Sequence, residues 1–263
     1  MLKSKYSVLS FSGGMDSTSL LLKLLKKGCF VYAISFKYGQ KHQIETKLAK
    51  KNISYLKKNG FNKRIRHKIF DISHIFSSFS SSLLNKEKLI PEGHYESENM
   101  KDTFVPNRNA IFFSLTYGYA LSIAKELSEN VSISMAAHSG DHAIYPDCRL
   151  DFFKQLLNAF EIGNWDSDKI SLYLPYIDMD KKDILLDAEK SINNLNLDFN
   201  TIFKNTITSY NPTKDGLSSG KSGSDIERIL AFNKINKMDP ISYEDSWEKV
   251  VKHALEVEKE FNN

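Results

Sequence analysis

The stretch Ser10-Phe11-Ser12-Gly13-Gly14-Met15-Asp16-Ser17-Thr18 constrains this chain more than any other. Before it, Tyr6-Ser7-Val8-Leu9 reads as a buried strand; after it, Leu20-Leu21-Leu22-Lys23-Leu24-Leu25 reads as a helix. Two consecutive glycines at a strand-to-helix turn leave backbone N–H groups uncovered by side chains. The helix adds its unpaired N-terminal donors and the positive end of its dipole. Together these predict an anion site around Gly13 and Gly14, with Ser10 at the strand's end and the hydroxyls of Ser12, Ser17 and Thr18 extending it. No Gly-Lys-Ser/Thr follows, which excludes a Walker A loop. The plainer reading is a capped turn, because Ser, Asp and Thr near a helix start often serve only as caps.

The rest of the composition sets bounds. A chain of 263 residues holds one large α/β domain, or one domain with an appendage. Apolar content of 41% with 26% charged residues describes a soluble globular protein, and a net charge of +4 does not by itself argue for nucleic acid. Two cysteines, Cys29 and Cys148, exclude a disulfide framework and a four-cysteine metal site within one chain. The start Met-Leu-Lys-Ser leads straight into the first strand, leaving no room for a signal peptide, and no apolar run reaches membrane-spanning length. The expectation is a cytoplasmic protein with neither a membrane nor a direct nucleic-acid partner.

Strand and helix then alternate. Cys29 to Phe36 has the apolar continuity of a parallel strand buried on both faces, with Gly28 suited to the preceding helix C-terminus. A helix runs from about Gln43 to Lys58, Gly60 ends it, and Arg64 to Phe70 is a third strand. Asp71 to Phe104 is long and rich in Ser and Asn, and is expected to be a partly helical excursion over the mouth of the sheet or a simple surface insertion. Asn107 is placed to cap a helix reaching Leu127; Val131 to Ala136 is a fourth strand, Leu150 to Glu161 a helix, Ser171 to Tyr176 a last strand and Lys181 to Ser191 a helix. Residues 208–225 read as a loop, followed by helices from about Asp225 to Asn236 and Tyr243 to Phe261. The alternation predicts an α/β protein with a Rossmann-like doubly wound parallel sheet: a domain over residues 1–200 and a C-terminal loop and helical appendage over 201–263. Such sheets bind ligands at the carboxyl ends of their strands, where every unusual cluster in this chain falls.

Ser-Gly-Gly-x-Asp-Ser after the first strand resembles the PP-loop of ATP pyrophosphatases, which cleave ATP between its α- and β-phosphates and adenylate a substrate oxygen. Three further pieces narrow the resemblance to the QueC family of 7-cyano-7-deazaguanine synthases. They are Phe36-Lys37-Tyr38-Gly39-Gln40-Lys41-His42, Val105-Pro106-Asn107-Arg108-Asn109, and Gly140-Asp141-His142 with Tyr145-Pro146-Asp147-Cys148-Arg149, in family order over residues 6 to about 235. The resemblance implies an ATP-dependent, AMP-forming ligase. It adenylates 7-carboxy-7-deazaguanine, takes ammonia to give the amide, and dehydrates the amide to the nitrile after a second adenylation.

On that reading pyrophosphate departs into the Gly13-Gly14 turn, with Ser17 beside it, and cationic groups from Arg108, Lys41 and Arg149 stabilise the phosphates. Asp16 holds Mg²⁺ through the phosphates or caps its helix. Asp147 accepts hydrogen bonds from the guanine-like edge or caps the next helix. Tyr38 or Phe36 stacks on a base or belongs to the core, and Gln40, His42, Asn109, His138, Asp141, His142 and Tyr145 are further substrate contacts. A metal pair at His138 and His142 lacks a third ligand.

Two departures stand out. Where the family carries four zinc-binding cysteines, this chain has Ser209, Ser219, Ser222 and Asp225, while Gly220-Lys221 and Ile226-Glu227-Arg228 keep the surrounding frame. Hydroxyls do not replace thiolates, so no zinc is predicted. The acidic residue usual before Tyr-Gly-Gln is Lys37. Alternatives are therefore a QueC-like enzyme that joins a deazaguanine to a protein amine in antiviral defence, and an inactive deazaguanine-binding module. The resemblance also implies a homodimer, for which the terminal helix is the candidate surface.

Overall fold

Five strands, all parallel, lie in the order β3-β2-β1-β4-β5 in a computed structural model of the chain. The structure describes residues 2–39, 44–79, 81, 83–84, 93–94, 98–140, 145–207 and 217–262. The strands are β1 (Tyr6–Ser10), β2 (Phe30–Lys37), β3 (Ile65–Asp71), β4 (Val131–Ser134) and β5 (Ile170–Tyr173). The helices are α1 (Met15–Lys26), α2 (Ile44–Leu56), a single turn α3 (Ser73–Phe76), α4 (Arg108–Leu127), α5 (Leu150–Gly163), α6 (Lys181–Asn194), α7 (Phe199–Lys204), α8 (Gly223–Lys234) and α9 (Trp247–Phe261). Strand order reverses between β1 and β4, the switch point at which doubly wound sheets open a crevice.

Each face of the sheet has its own core. Leu20, Leu21, Leu24 and Leu25 of α1 pack with Ile184, Leu185 and Ala188 of α6 and Ala231 and Phe232 of α8 on one side. Phe113, Tyr117, Ala120 and Ala124 of α4 join Phe153 of α5 on the other. Burial from both sides explains why β4, Val131-Ser132-Ile133-Ser134, is buried at every residue although serines alternate with its apolar residues. Ser7 and Ser134 satisfy each other inside the sheet, hydroxyl to hydroxyl at 2.7 Å.

Several boundaries differ from the sequence-based expectation. α1 begins at Met15, so Asp16, Ser17 and Thr18 lie in its first turn. β4 ends at Ser134 and β5 at Tyr173, both short of the apolar runs that suggested them. Beyond β5, Pro175 has no N–H for a ladder, and Tyr176 turns into the core to donate to Asp187 Oδ2 at 3.0 Å. α2 ends at Leu56 in a widened turn, Lys57–Phe61, where Gly60 has φ 96°. Asn107 does precede α4, but its left-handed backbone (φ 58°) differs from the extended geometry of a capping residue, and its side chain makes no cap bond.

The described parts of the 71–104 segment lean on the mouth of the sheet. Phe76, Leu83 and Val105 form a small core with Tyr38 and Phe112, and Gly93 N–H donates to Lys221 O at 3.2 Å. At the C-terminal end Val250 and Ala254 of α9 pack on Ile226, Ile229 and Leu230 of α8. Arg228 is fully buried beneath them and donates to Asp239, to Thr206 Oγ1 at 2.9 Å and to Phe203 O at 3.2 Å, which joins α7, α8 and the 239–243 turn.

At the positions where the family carries cysteines, Ser222 caps α8: its hydroxyl accepts from Asp225 N–H at 3.3 Å and donates to Asp225 Oδ2 at 2.7 Å. Ser219 Oγ accepts from Lys221 N–H at 3.3 Å, and Ser209 lies outside the described residues. Among the described residues no group of three His, Cys, Asp or Glu is arranged to hold a metal ion, and no helix is long and apolar enough to cross a membrane.

Candidate active site

A cleft of about 260 Å³ opens at the carboxyl ends of β1, β2 and β4. The first turns of several helices border it: Met15, Asp16 and Ser17 of α1, Glu45 and Thr46 of α2, Arg108 and Asn109 of α4, Lys181 of α6 and Ser224 of α8. Helix starts carry unpaired N–H groups and the positive end of the dipole, so their convergence favours a polyanion in this space. Arg108 and Lys181 add full positive charges.

The glycine turn is held by its own hydroxyls. Ser12 Oγ accepts from Gly14 N–H and Ser17 Oγ from Gly13 N–H, both at 3.1 Å, and the two hydroxyls are 3.0 Å apart. The Gly13 and Gly14 amides are thus occupied by side chains, and the donors with no intrahelical acceptor are those at the start of α1. Gly13 has φ +88°, and a Cβ there would stand 2.6 Å from Ala49 Cβ of α2, so the turn accepts no side chain. Thr18 is fully buried with an unpartnered hydroxyl and does not border the cleft; one residue past Ser17, about 100° round α1, it faces the core.

Asp16 points towards a cluster that crosses to α8. Its Oδ2 is 3.7 Å from Lys181 Nζ and 3.9 Å from His138 Nε2, while its Oδ1 is buried without a hydrogen-bond partner. Lys181 Nζ donates to Glu227 Oε2 at 2.5 Å. His138 Nδ1 accepts from Gly140 N–H at 3.2 Å and lies 4.0 Å from Glu227 Oε1. An N–H pointing at Nδ1 sets the ring tautomer: the ring proton is on Nε2, facing Asp16.

The opposite wall is aromatic and amide-bearing. Phe36 stacks on Phe112 at 4.2 Å between ring centroids, and Tyr38 packs edge-on against Phe112 and Phe76 with the Arg108 guanidinium 5.9 Å above its ring. Burial pushes the Tyr38 phenol up and Arg108 pulls it back. Asn109 Nδ2 donates to Cys148 Sγ at 3.2 Å and to Asp147 O at 3.4 Å, and Tyr145 and Thr103 share a hydroxyl contact at 2.5 Å.

Of the residues singled out from sequence, the cleft gathers Ser10, Ser12, Gly14, Asp16, Ser17, Tyr38, Arg108, Asn109, His138 and Tyr145. Asp147 is buried just behind its rim, where desolvation raises its carboxyl and Arg108 and Asn109 counter the rise. It sits in the Pro146–Cys148 turn, two residues too early to cap α5, whose N-cap is Arg149. Arg149 is exposed and does not border the cleft. Gln40, Lys41, His42, Asp141 and His142 lie outside the described residues. Lys181 belongs to no motif singled out from sequence, and Glu227 enters the sequence reading only as part of the frame around the missing cysteines, not as a site residue. Lys181 follows the same rule as the others, being the first residue of the helix after a strand's carboxyl end, whereas Glu227 arrives only by tertiary packing of α8.

An all-parallel, doubly wound sheet with a glycine turn at its switch point, ringed by helix starts and two cations, defines an α/β fold built to hold a phosphorylated ligand. The model of the family described as Queuosine biosynthesis protein QueC matches residues 6–236. The 7-cyano-7-deazaguanine synthase 1 of Colwellia psychrerythraea is 42% identical over 90% of this chain and 98% of its own length. The 7-cyano-7-deazaguanine synthase of Pseudoalteromonas translucida is 40% identical over 90% of this chain and 98% of its own. The chain belongs to the QueC family, as its four motifs suggested. Among solved structures, NMN synthetase from Francisella tularensis aligns with a TM-score of 0.40 and 15% identity over 98% of this chain and 85% of that one. The comparisons lend no support to the antiviral or inactive alternatives.

Proposed function

We propose that this protein is an ATP-dependent, AMP-forming enzyme that activates the 7-carboxylate of a 7-deazaguanine, forms the amide with ammonia, and dehydrates that amide to the nitrile. The observation that carries the reading is the single cleft in which the α1 start and Asp16 face an aromatic, amide-bearing wall across the switch point. Membership of a family whose relatives are named 7-cyano-7-deazaguanine synthases supports the substrate class.

A carboxylate or amide oxygen leaves poorly until it carries AMP. The substrate oxygen attacks the α-phosphorus, and pyrophosphate departs towards the start of α1, where oriented N–H donors and Lys181 receive the charge without having to reorganise. Asp16 fits a magnesium ion held through the phosphates: its Oδ1 is a buried carboxylate oxygen with no partner, the donor a hard cation takes. Such an ion, when bound, neutralises charge on the polyphosphate. Lys181, anchored by Glu227 beside Asp16, is held for the same anion. Tyr38, Asn109 and Tyr145 contact the modified purine, and Arg108, over the Tyr38 ring, stabilises phosphate charge.

The test is incubation with ATP, 7-carboxy-7-deazaguanine and ammonium, followed by mass spectrometry. The expected products are the nitrile, AMP and pyrophosphate. AMP formation that does not depend on the deazaguanine, or none at all, overturns the reading.

A further inference from the structure

Lys181 borders two cavities. Behind the cleft already described lies a second, of about 340 Å³, lined by Ser139, Gly140, Lys181, Glu227, Leu230 and Glu258 among others. Asp16 and His138 face only the first cavity, and Glu227 and Gly140 only the second. The partition between them is therefore a layer of four side chains. Asp16 and Glu227 are each about one-fifth exposed (21% and 20%), on opposite sides, and Lys181 and His138 are buried between them at 6% and 2%. Lys181 is hydrogen-bonded to Glu227 and lies 3.7 Å from Asp16, and His138 lies 3.9 Å from Asp16 and 4.0 Å from Glu227, so a polar cluster separates the two cavities.

We infer that the second cavity is the access route for the amine nucleophile, and that Glu227 receives the proton its ammonium form must lose. The inference rests on the amide-forming reading above. The second cavity is lined by three carboxylates, Glu227, Glu258 and Asp180, that can take a proton from ammonium, and by three lysines, Lys181, Lys182 and Lys234, which leave it without net charge against the neutral amine. Only the neutral amine is nucleophilic. Ammonium gives one proton to Glu227, and its nitrogen attacks the acyl carbon of the adenylate. The C–N bond forms as the acyl C–O bond breaks, AMP leaves with that electron pair, and the second nitrogen proton passes to solvent. Lys181, donating to Glu227 at 2.5 Å, holds that carboxylate on the partition and is a positioning residue for it. Separate access keeps the amine from competing with ATP and purine for the first opening.

Glycine at position 140 fits this arrangement. A Cβ there would lie 2.6 Å from Glu227 Oε1 and 3.0 Å from His138 Cε1, so a side chain would push the carboxylate out of the cluster. The other charged groups sharing the cavity with Glu227 are Asp180, Lys182, Lys234, Glu258 and His94.

The experiment separates the two half-reactions in the full-length protein. Deazaguanine-dependent exchange of radiolabelled pyrophosphate into ATP reads adenylation, and amide formation across an ammonium chloride titration reads amine use. Glu227→Gln, whose amide oxygen can still accept from Lys181, is expected to lower amide formation at subsaturating ammonium by about 100-fold relative to exchange, the loss of a general base, while exchange falls only as far as Lys181 loses its anchor. Gly140→Ala, which acts through the same carboxylate from the second cavity, is expected to raise the KM for ammonium in the same direction. Raising the pH, which increases free ammonia about tenfold per unit below its pKa, is expected to restore Glu227→Gln more than wild type. Exchange and amide formation falling together, or ammonium dependence equal to wild type in both variants, overturns the route alone. No exchange in the wild-type protein overturns the adenylation reading, and the route with it.

Discussion

Arg228 and Asp239 meet in a two-point ion pair from which water is wholly excluded: Nε lies 2.6 Å from Oδ2 and Nη2 2.9 Å from Oδ1, with neither side chain exposed. Tyr243 OH and Ile241 N–H complete the carboxylate, and Thr206 and Phe203 each take a further guanidinium donor. A buried pair of this kind stabilises little relative to an apolar replacement, but breaking it strands a charge. Asp239→Ala is expected to lower unfolding free energy by about 3–5 kcal/mol, measured by urea denaturation. The double variant Arg228→Met/Asp239→Leu should cost less than the sum of the single changes. Additive losses would show that the two groups do not act as a unit.

The glycine turn gives a second prediction. Gly13→Ala meets both an unfavourable backbone and a neighbour, with φ at +88° and Ala49 Cβ at 2.6 Å. The left-handed conformation alone costs about 1–2 kcal/mol for an L-residue, and the contact adds to it. The variant should lose thermal stability and AMP formation together. Ala49→Gly in the same chain removes the nearer obstacle but leaves the backbone cost, so it should recover part of the melting temperature. Full recovery would mean that the conformation carries no cost.

Much of this was legible in the sequence because it is local. Strand, Gly-Gly and helix announced the turn, and the alternation of elements announced a parallel sheet whose strand tips carry the unusual residues. What was illegible depends on packing across the chain. Nothing near Glu227 says that α8 will set it against Lys181, forty-six residues earlier. Strand ends at β4 and β5 were overrun because apolar residues continue past the last ladder bond into the wall of the cleft and the core. Thr18 looked like part of the turn because sequence proximity does not say that the single step from Ser17, about 100° round the helix, turns a side chain into the interior. The serines inside the sheet needed their partners to be seen before their burial made sense.

His67 sets an acid limb on stability. Burial holds its ring at a pKa of about 4, with Lys57 and Lys50 adding to the effect, and its Nε2 is 2.9 Å from Ser35 Oγ. The unfolded chain binds a proton there near pH 6.5 while the folded one does not. As pH falls from about 6.5 to 4 the unfolded state therefore takes up more protons, and stability drops with it. Below about 4 both states are protonated and this contribution levels off. His67→Gln should flatten the limb in pH-dependent urea melts. An unchanged slope between pH 6.5 and 4 would mean that another group sets it.

The hydroxyl and carboxylate of Ser222 and Asp225 give the start of α8 its own cap where the family places thiolates. Ser222→Ala is expected to cost about 1 kcal/mol of unfolding free energy, the ordinary value of a lost N-cap. Removing metal with a chelator should leave the melting temperature where it was, since a structural zinc would contribute folding energy that its loss removes. A fall in melting temperature on chelation, reversed by zinc, would refute the metal-free reading of this segment.

Asp16 separates a structural from a chemical role most sharply. An acidic residue in the first turn of a helix favours the positive dipole end by about 0.3–1 kcal/mol, so a purely local role predicts that Asp16→Asn lowers stability by no more than that and leaves turnover intact. If instead the unpartnered Oδ1 serves the ion that accompanies the nucleotide, the neutral amide removes the charge the ion requires. AMP formation should then fall by about 100-fold or more, the scale of losing one electrostatic element of an active site, and half-saturation by magnesium should rise. Urea denaturation of the same variant fixes the first quantity, and AMP release across a magnesium titration fixes the second. Full activity at ordinary magnesium would return Asp16 to the helix it begins.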